Sequence, residues 1–202
     1  MSLEQRLSPR VPKLVIDRFL EIQERFSINT DLRIAHFFAQ TAHESANFTT
    51  TKENLNYSAS RLLKAFPRHF NKDTAKLYAR DYIAIANKVY ANRFGNTELG
   101  DGWKYRGRGY IMTTFKANYA ELDKLVPEDL LENPELVAGR YAMLSAGYFW
   151  HSRKLNALAD KGSDIATITR ITNKINGGII GLDDRIAKFN EFYDLLTKGP
   201  TA

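Results

Sequence analysis

Apolar residues recur at helical spacing along almost the whole chain, and one glycine-rich stretch breaks the pattern. Recurrence every three or four residues gathers apolar side chains on one helix face. Pro12 opens a first segment of this kind, carrying Leu14, Val15, Phe19, Leu20 and Ile22. Asn29 or Thr30 caps a second, with Asp31 in its first turn, where the positive helix end favours an acid. Ile34, Phe37, Phe38 and Thr41 form its apolar face. Residues 59–66 read as a helix stopped by Pro67, and residues 73–91 as one amphipathic helix with Leu77, Tyr78, Tyr82, Ile85 and Val89 as its buried stripe. Helices over 117–126 and 140–151 follow. Ser163 or Asp164 caps 165–175, Gly177-Gly178 ends that helix, and 183–196 is the last. The polar segment 49–58 reads as a turn or a hairpin strand. The expected architecture is mainly α, with little strand.

The exception is residues 92–109, which hold Gly95, Gly100, Gly102, Gly107 and Gly109. Long irregular stretches in compact domains are often functional. Gly107-Arg108-Gly109 does not make a dinucleotide fingerprint, because Met112 stands where the third glycine belongs, and no Gly-Lys-Ser/Thr ending marks a phosphate loop. A cleft floor where backbone comes close to a ligand fits better. With no cysteine, disulfides and thiolate metal sites are excluded. The net charge of +6 favours an anionic partner, and nucleic acid, anionic membrane and bacterial cell wall all qualify. No nucleic-acid motif is present and the basic residues are spread rather than clustered, so no nucleic-acid partner is expected. No stretch approaches the roughly 18 apolar residues of a membrane span, so no stable membrane insertion is expected. The first ten residues carry no apolar core of a secretory signal, so none is expected. The 202 residues suit one catalytic domain over 1–202, with two lobes around a cleft and no separate wall-binding domain.

The chemistry centres on Glu44 and Glu53, which bracket the segment that begins Ser45-Ala46-Asn47-Phe48. Hydrolysing a glycosidic bond needs one carboxylic acid to protonate the leaving oxygen and a second carboxylate on the other side of the sugar. Glu44 falls on the rim of the apolar face of its helix, where partial burial disfavours the charged form and suits a general acid. Glu53 leads into Asn54, Asn56, Tyr57 and Ser58, whose amides and hydroxyls suit sugar hydroxyl and acetamido groups. His43-Glu44 is not half of a zinc-protease motif, because Asn47 stands where the second histidine is needed. His36, His43, His69 and His151 form no other ligand spacing, so no metal and no cofactor is expected. The aromatics Tyr57, Trp103, Tyr105, Tyr110 and Tyr119 cluster around these motifs, and Trp103, among small and polar neighbours, is the strongest candidate for a sugar platform.

The run from Ala39 to Ser58, the segment Tyr105-Arg106-Gly107-Arg108-Gly109-Tyr110 followed by Asn118-Tyr119, and Ile175-Asn176-Gly177-Gly178 with Arg185 resemble family 19 glycoside hydrolases, in the family's order. That family contains chitinases and the smaller lysozyme-like endolysins of phages, and the short, basic chain looks more like the second branch. The resemblance implies a lysozyme-like, two-lobed helical fold with a substrate groove, the small lobe lying within about 68–112. It implies an inverting mechanism with Glu44 as general acid and Glu53 as general base, their carboxyls roughly 6.5–9.5 Å apart. By the same matching, Thr114, Asn118, Asn176 and Arg185 line sugar subsites or organise the site, and His43, beside the acid, joins the substrate-binding set. Arg106, Arg108 and Arg185 bind carboxylates of the site or meet the acidic polymer. Met112, where many members carry glutamine, removes one amide from the expected sugar contacts.

The expected function is therefore hydrolysis of β-1,4 bonds in peptidoglycan glycan strands by a monomeric, phage-type endolysin. It would be made in the host cytoplasm, reach the periplasmic wall through a holin-type pore, and lyse the cell. Chitin is the nearest alternative substrate. A lytic transglycosylase, or a nucleic-acid- or wall-binding module without catalysis, completes the set of rivals.

Overall fold

The computed structural model describes residues 1–199. Its helices in chain order are α1 (Leu3–Leu7), α2 (Lys13–Leu20), α3 (Asp31–Glu44), α4 (Ala59–Ala65), α5 (Lys72–Tyr78), α6 (Tyr82–Tyr90), α7 (Asp101–Lys104), α8 (Lys116–Asp123), α9 (Ala142–Ser152), α10 (Asn156–Ala159), α11 (Ile165–Asn176) and α12 (Leu182–Lys198), with a 3₁₀ turn at Pro134–Val137 between α8 and α9. Strand pairing is confined to isolated antiparallel bridges, Lys52 with Arg108, Arg93 with Asn96 and Arg108 with Thr113, and no sheet forms among the described residues. The mainly helical architecture is the one the apolar spacing predicts.

The chain divides into two compact units. One comprises Met1–Thr51, Gly109–Ile111 and the described residues from Arg140 onward; the other comprises Lys52–Arg108 and Met112–Gly139.

In the first unit α3 is the central helix. Thr30 starts it by accepting the Arg33 N–H, with Asp31 in the first turn. The apolar face expected at Ile34, Phe37, Phe38 and Thr41 is too narrow: every residue from Ile34 to Ala42 is buried. A helix covered on all sides must satisfy each polar group it carries. Thr41 Oγ1 donates to the Phe37 carbonyl at 2.8 Å, Gln40 Nε2 donates to Thr172 Oγ1 at 3.2 Å, and His36 Nε2 lies 2.9 Å from the Gly162 carbonyl. α12 lies along α3. Edge-to-face pairs of Phe38 with Phe19 and of Phe37 with Trp150 pack the other sides. In α2 the buried stripe is Val15, Ile16 and Phe19. Leu14 and Leu20, expected inside, are 65% and 42% exposed. Their positions face away once Phe19 points at α3, so the register of the stripe was set by tertiary packing. At the far end Asp164 accepts the Thr167 N–H to start α11, and Gly177, at φ +74°, ends it in the left-handed conformation that favours glycine.

His36 makes this core sensitive to acid. Its ring is fully buried and packed on Phe189, with centroids 4.1 Å apart. Burial lowers its pKa from 6.5 to about 4, against the Gly162 carbonyl and the charge of Asp164, which pull it upward. Above 6.5 the ring is neutral in both folded and unfolded chains. Between 6.5 and about 4 the unfolded chain takes up a proton that the folded chain does not, so stability is lost as pH is lowered through that window and levels off below it. The full effect is about 3 kcal/mol, from the size of the shift. Denaturant melts of wild type and His36→Phe at pH 7 and pH 4 are expected to show the wild type losing about 3 kcal/mol more than the variant; equal losses would remove His36 as the cause.

The second unit packs α4, α5 and α6 around Leu55, Leu62, Phe70, Ala75, Ile85, Ala86 and Val89. The single helix expected over 73–91 is two, α5 and α6. Arg80 sits at φ +69° and donates its N–H to the Tyr57 carbonyl, and Asp81 restarts the helix by accepting the Ala84 N–H. The break turns the stripe as well: Leu77 and Tyr82, expected inside, are 79% and 48% exposed. The glycine-rich stretch holds a short helix, α7, which the sequence did not announce. Gly102 in α7 lies so close to α6 that a Cβ would fall 2.5 Å from the Ala86 carbonyl oxygen, so a glycine is required there.

Candidate active site

The two glutamates belong to different units, and each has its own support. Glu44 is the last residue of α3. Its Oε1 receives Nη2 of Arg185, a residue of α12 that is 2% exposed. The same guanidinium gives Nη1 to Oε1 of Gln40, one turn back along α3. The planar fork therefore locks onto two side chains of one helix face, a geometry an ammonium cannot copy. Of the arginines expected to hold a site carboxylate, Arg185 does so directly. Sequence reasoning missed Gln40, because a buried glutamine on an apolar helix carries no signal until its partner is known.

Directly after Glu44 the backbone departs from ordinary conformations. Ala46, Asn47 and Phe48 have φ of 49°, 57° and 65°, a run of left-handed residues without a glycine. Such conformations are strained and persist only where the surroundings over-determine them. Ser45 supplies that constraint. Its buried hydroxyl donates to the Thr41 carbonyl at 2.6 Å and accepts the Phe48 N–H at 2.9 Å, while its own carbonyl accepts from Thr49 and Thr50. Phe48 packs edge-on against Phe38 and Tyr110.

His43, beside Glu44, places Nδ1 2.6 Å from Oδ2 of Asp184, which also accepts from Lys188. Its ring lies against Gly181, where an added Cβ would come within 2.2 Å of Cε1 and where φ is +71°. Both the close approach and the backbone therefore call for glycine. Gly181→Ala is expected to lose about 2 kcal/mol or more in a denaturant melt, from left-handed strain plus displacement of the histidine; an unchanged melt would mean the ring moves aside freely. Asn176 closes the preceding turn on itself, donating to the Ile180 carbonyl at 3.0 Å and accepting the Gly178 N–H at 2.8 Å. It is exposed.

Glu53 is held from two sides within the second unit. Oε1 accepts the Gly107 N–H and Oε2 accepts the Tyr90 hydroxyl, both at 2.7 Å. The Glu53 N–H in turn donates to the Gly107 carbonyl at 3.0 Å. A side chain at Gly107 would lie 3.3 Å from the Glu53 carboxyl carbon, so what this backbone closely approaches is the Glu53 carboxylate, where the sequence reading places a ligand. Burial pushes the Glu53 carboxyl above its usual value, against those two hydrogen bonds and the charges of Arg106 and Arg108, which pull it down. Burial and Glu53 itself push the Tyr90 phenol upward, so Tyr90 stays a donor. An ionised carboxylate in this setting is a stronger base than a solvated one. Beside it opens a pocket of about 330 Å³ lined by Lys52, Glu53, Asn54, Leu55, Asn56, Tyr82 and Trp103.

The remaining candidates divide by what they touch. Asn54 is exposed at this pocket, its Oδ1 accepting the Asn56 N–H at 2.9 Å. Trp103 lines the pocket, with the Arg106 guanidinium over its ring at 3.6 Å. Thr114 lies near Gly107, and its carbonyl accepts the Asn118 amide at 2.7 Å; Asn118 is exposed. Four candidates are built into the scaffold instead. Tyr105 is 2% exposed and packs on Tyr119. Tyr57 packs edge-on against Phe66. Ser58 caps α4. Arg108 is 1% exposed. Arg108 Nη2 and Arg106 Nη2 meet Glu135 at 2.5 and 3.0 Å, and Lys52 reaches the same carboxylate at 2.8 Å. Burial works against the charge on Glu135, but hydrogen bonds from Arg108 and Lys52 and the arginine charges hold its carboxyl down to about 2. Arg106 and Arg108 thus pair with Glu135, which the sequence did not single out, and act on Glu53 through charge alone. No cluster of metal-ligating side chains occurs among the described residues.

A half-buried, hydrogen-bonded carboxylate beside an amide- and aromatic-lined pocket, and a second carboxylate at a helix end under a guanidinium, are the equipment of a glycosidase. The profile of glycoside hydrolase family 19, described as chitinase class I, matches residues 26–169. A glycosyl hydrolase family 19 domain-containing protein of Haemophilus influenzae is 38% identical over 185 residues, covering 89% of this chain and 88% of its own. The chain belongs to glycoside hydrolase family 19 and is a chitinase-like glycosidase. Chitinase 3 of Oryza sativa is 29% identical over 187 residues, and there the match takes in 79% of this chain but only 51% of the rice protein, so the chain spans about half of that relative's length. The fold is similar to that of a solved bacterial family 19 chitinase, with a TM-score of 0.60, 20% identity and coverage of 97% of this chain and 94% of the other. Chitinase C of Streptomyces griseus is similar at a TM-score of 0.57 and 20% identity, covering 99% and 78%.

Proposed function

We propose that the chain hydrolyses the β-1,4 bonds of bacterial peptidoglycan with inversion, as an endolysin of the phage type. Glu53 carries the reading: a half-buried carboxylate, oriented by the Gly107 N–H and the Tyr90 hydroxyl and kept basic by its surroundings, is suited to take a proton from water. Glu44 is the proton donor to the leaving oxygen. Arg185 engages its Oε1, so the reading needs Oε2 to carry the transferred proton. Asn54 and Trp103, with the exposed amides of Asn118 and Asn176, supply sugar contacts. The +6 charge favours an acidic wall polymer over neutral chitin. As a monomer made in a host cytoplasm, such an enzyme would act on the wall once a holin-type pore released it.

Product analysis on purified peptidoglycan, beside chitin oligomers, tests this. The expected products are reducing ends released with inverted anomeric configuration, and their sugar identity reports which of the two alternating bonds is cut. Anhydro ends would replace hydrolysis by transglycosylation and make Glu53 a bystander. Cleavage of chitin oligomers alone would assign the neutral polymer, the substrate that the names of the plant relatives suggest.

A further inference from the structure

We propose that Lys52 makes the pocket beside Glu53 selective for a sugar unit that bears a carboxylate. This rests on the peptidoglycan reading above and names the chemical group that would set the preference. Three observations carry it. The first is the lining. Tyr82 and Trp103 stand side by side, ring centroids 5.4 Å apart, and offer apolar faces of the kind sugar rings stack on, while Asn54 and Asn56 supply amide groups at the same opening. The second is placement. Lys52 precedes Glu53 directly, belongs to the same pocket, and keeps 54% of its side chain exposed, so its ammonium is reachable by a bound ligand. The third is charge. Lys52, Arg106 and Arg108 converge on the single carboxylate of Glu135, and these four side chains carry net positive charge even when the neighbouring Glu53 carboxylate is counted with them. Arg106 and Arg108 are buried, so Lys52 is the member through which that excess reaches the opening.

A half-exposed ammonium beside a partly desolvated opening gains more from a ligand carboxylate than an open surface lysine does. A neutral N-acetylglucosamine oligomer offers no such partner. A muramyl unit does, either through its lactyl carboxylate or through the acidic groups of an attached peptide. The Lys52–Glu135 pair also suggests how the site waits. The ammonium rests on Glu135 and can swing to a ligand, because two arginines stay behind to compensate that carboxylate.

The test uses the full chain and three substrates: intact peptidoglycan strands, glycan strands freed of peptide by an amidase, and chitin oligomers. The readout is the ratio of kcat/KM on each muramyl substrate to kcat/KM on the chitin oligomer. In Lys52→Gln this ratio is expected to fall about tenfold, as loss of one charge-assisted contact implies. In Lys52→Arg it is expected to stay within about twofold, since the charge is kept. The wild-type ratio should also drop as salt is raised. A fall on peptide-free strands assigns the lactyl carboxylate; a fall on intact strands alone assigns the peptide. An unchanged ratio in Lys52→Gln, or equal losses in the glutamine and arginine variants, overturns the proposal. A wild type that cleaves chitin oligomers and neither muramyl substrate overturns the peptidoglycan reading as well, an outcome distinct from failure of Lys52 alone.

Discussion

Replacing Glu44 by glutamine is expected to reduce glycosidase activity by about 10²–10⁴-fold, the usual worth of a positioned general acid. The substitution keeps the shape of the side chain and an oxygen for Arg185 Nη2, and removes the acidic proton together with the negative charge that pairs with that guanidinium. The helix it ends is held by packing further back, from Ile34 to Ala42, so the chain should still fold cooperatively, with the thermal transition lowered by the loss of the ion pair. Activity is read on permeabilised bacteria and on chitin oligomers together, because a donor is needed for either polymer. Near-full activity on both with an intact fold would take Glu44 out of the chemistry. Glu53→Gln is a useful companion: it keeps an acceptor for the Gly107 N–H and loses the base, so it too should fold and fail.

The second large effect is expected from Arg185. Arg185→Met removes a guanidinium that is almost wholly enclosed and leaves both Glu44 and Gln40 without their partner. Removing one member of a buried pair typically costs 3–5 kcal/mol, and because Glu44 keeps 23% of its side chain exposed, the low end, about 3 kcal/mol, is expected in a denaturant melt. kcat should fall alongside, with KM changing less, because the lost fork orients Glu44 rather than gripping sugar. Arg185→Lys separates charge from geometry. One ammonium cannot serve Gln40 and Glu44 as the fork does, so stability should recover in part while kcat stays low. Full recovery of kcat by lysine would show that only the charge matters.

Much of the helical plan was legible because it is written locally. Thr30 and Asp164 announce helix starts through their own hydroxyl and carboxylate, and Gly177 announces an end through a φ that other residues resist. The two halves of 73–91 show the limit. An unbroken apolar period runs through Arg80, and the chain nevertheless turns there, because the Arg80 N–H is claimed by the carbonyl of Tyr57, far away in sequence. Leu14, Leu20 and Leu77 failed for a related reason: apolarity says that a residue can be buried, and only the partner surface says which ones are. At the candidate site, Glu44 and Glu53 stood out by their chemistry, and Arg185 was expected among the groups that meet a carboxylate there. The rest of the support was not legible. Gln40, Tyr90 and Glu135 are ordinary residue types whose roles exist only as pairs with Arg185, Glu53 and Arg108. The left-handed run at Ala46, Asn47 and Phe48 has no glycine to betray it, and is imposed by Ser45 and the packing of Phe48.

The family-matched segment stops at residue 169, while the guanidinium that grips Glu44 sits on α12, beyond it. A fragment trimmed to that matched segment would lose the cation and leave its glutamate behind. On the mechanism proposed above, a working version has to reach past Arg185, so the tail beyond the matched segment sets the lower bound on size.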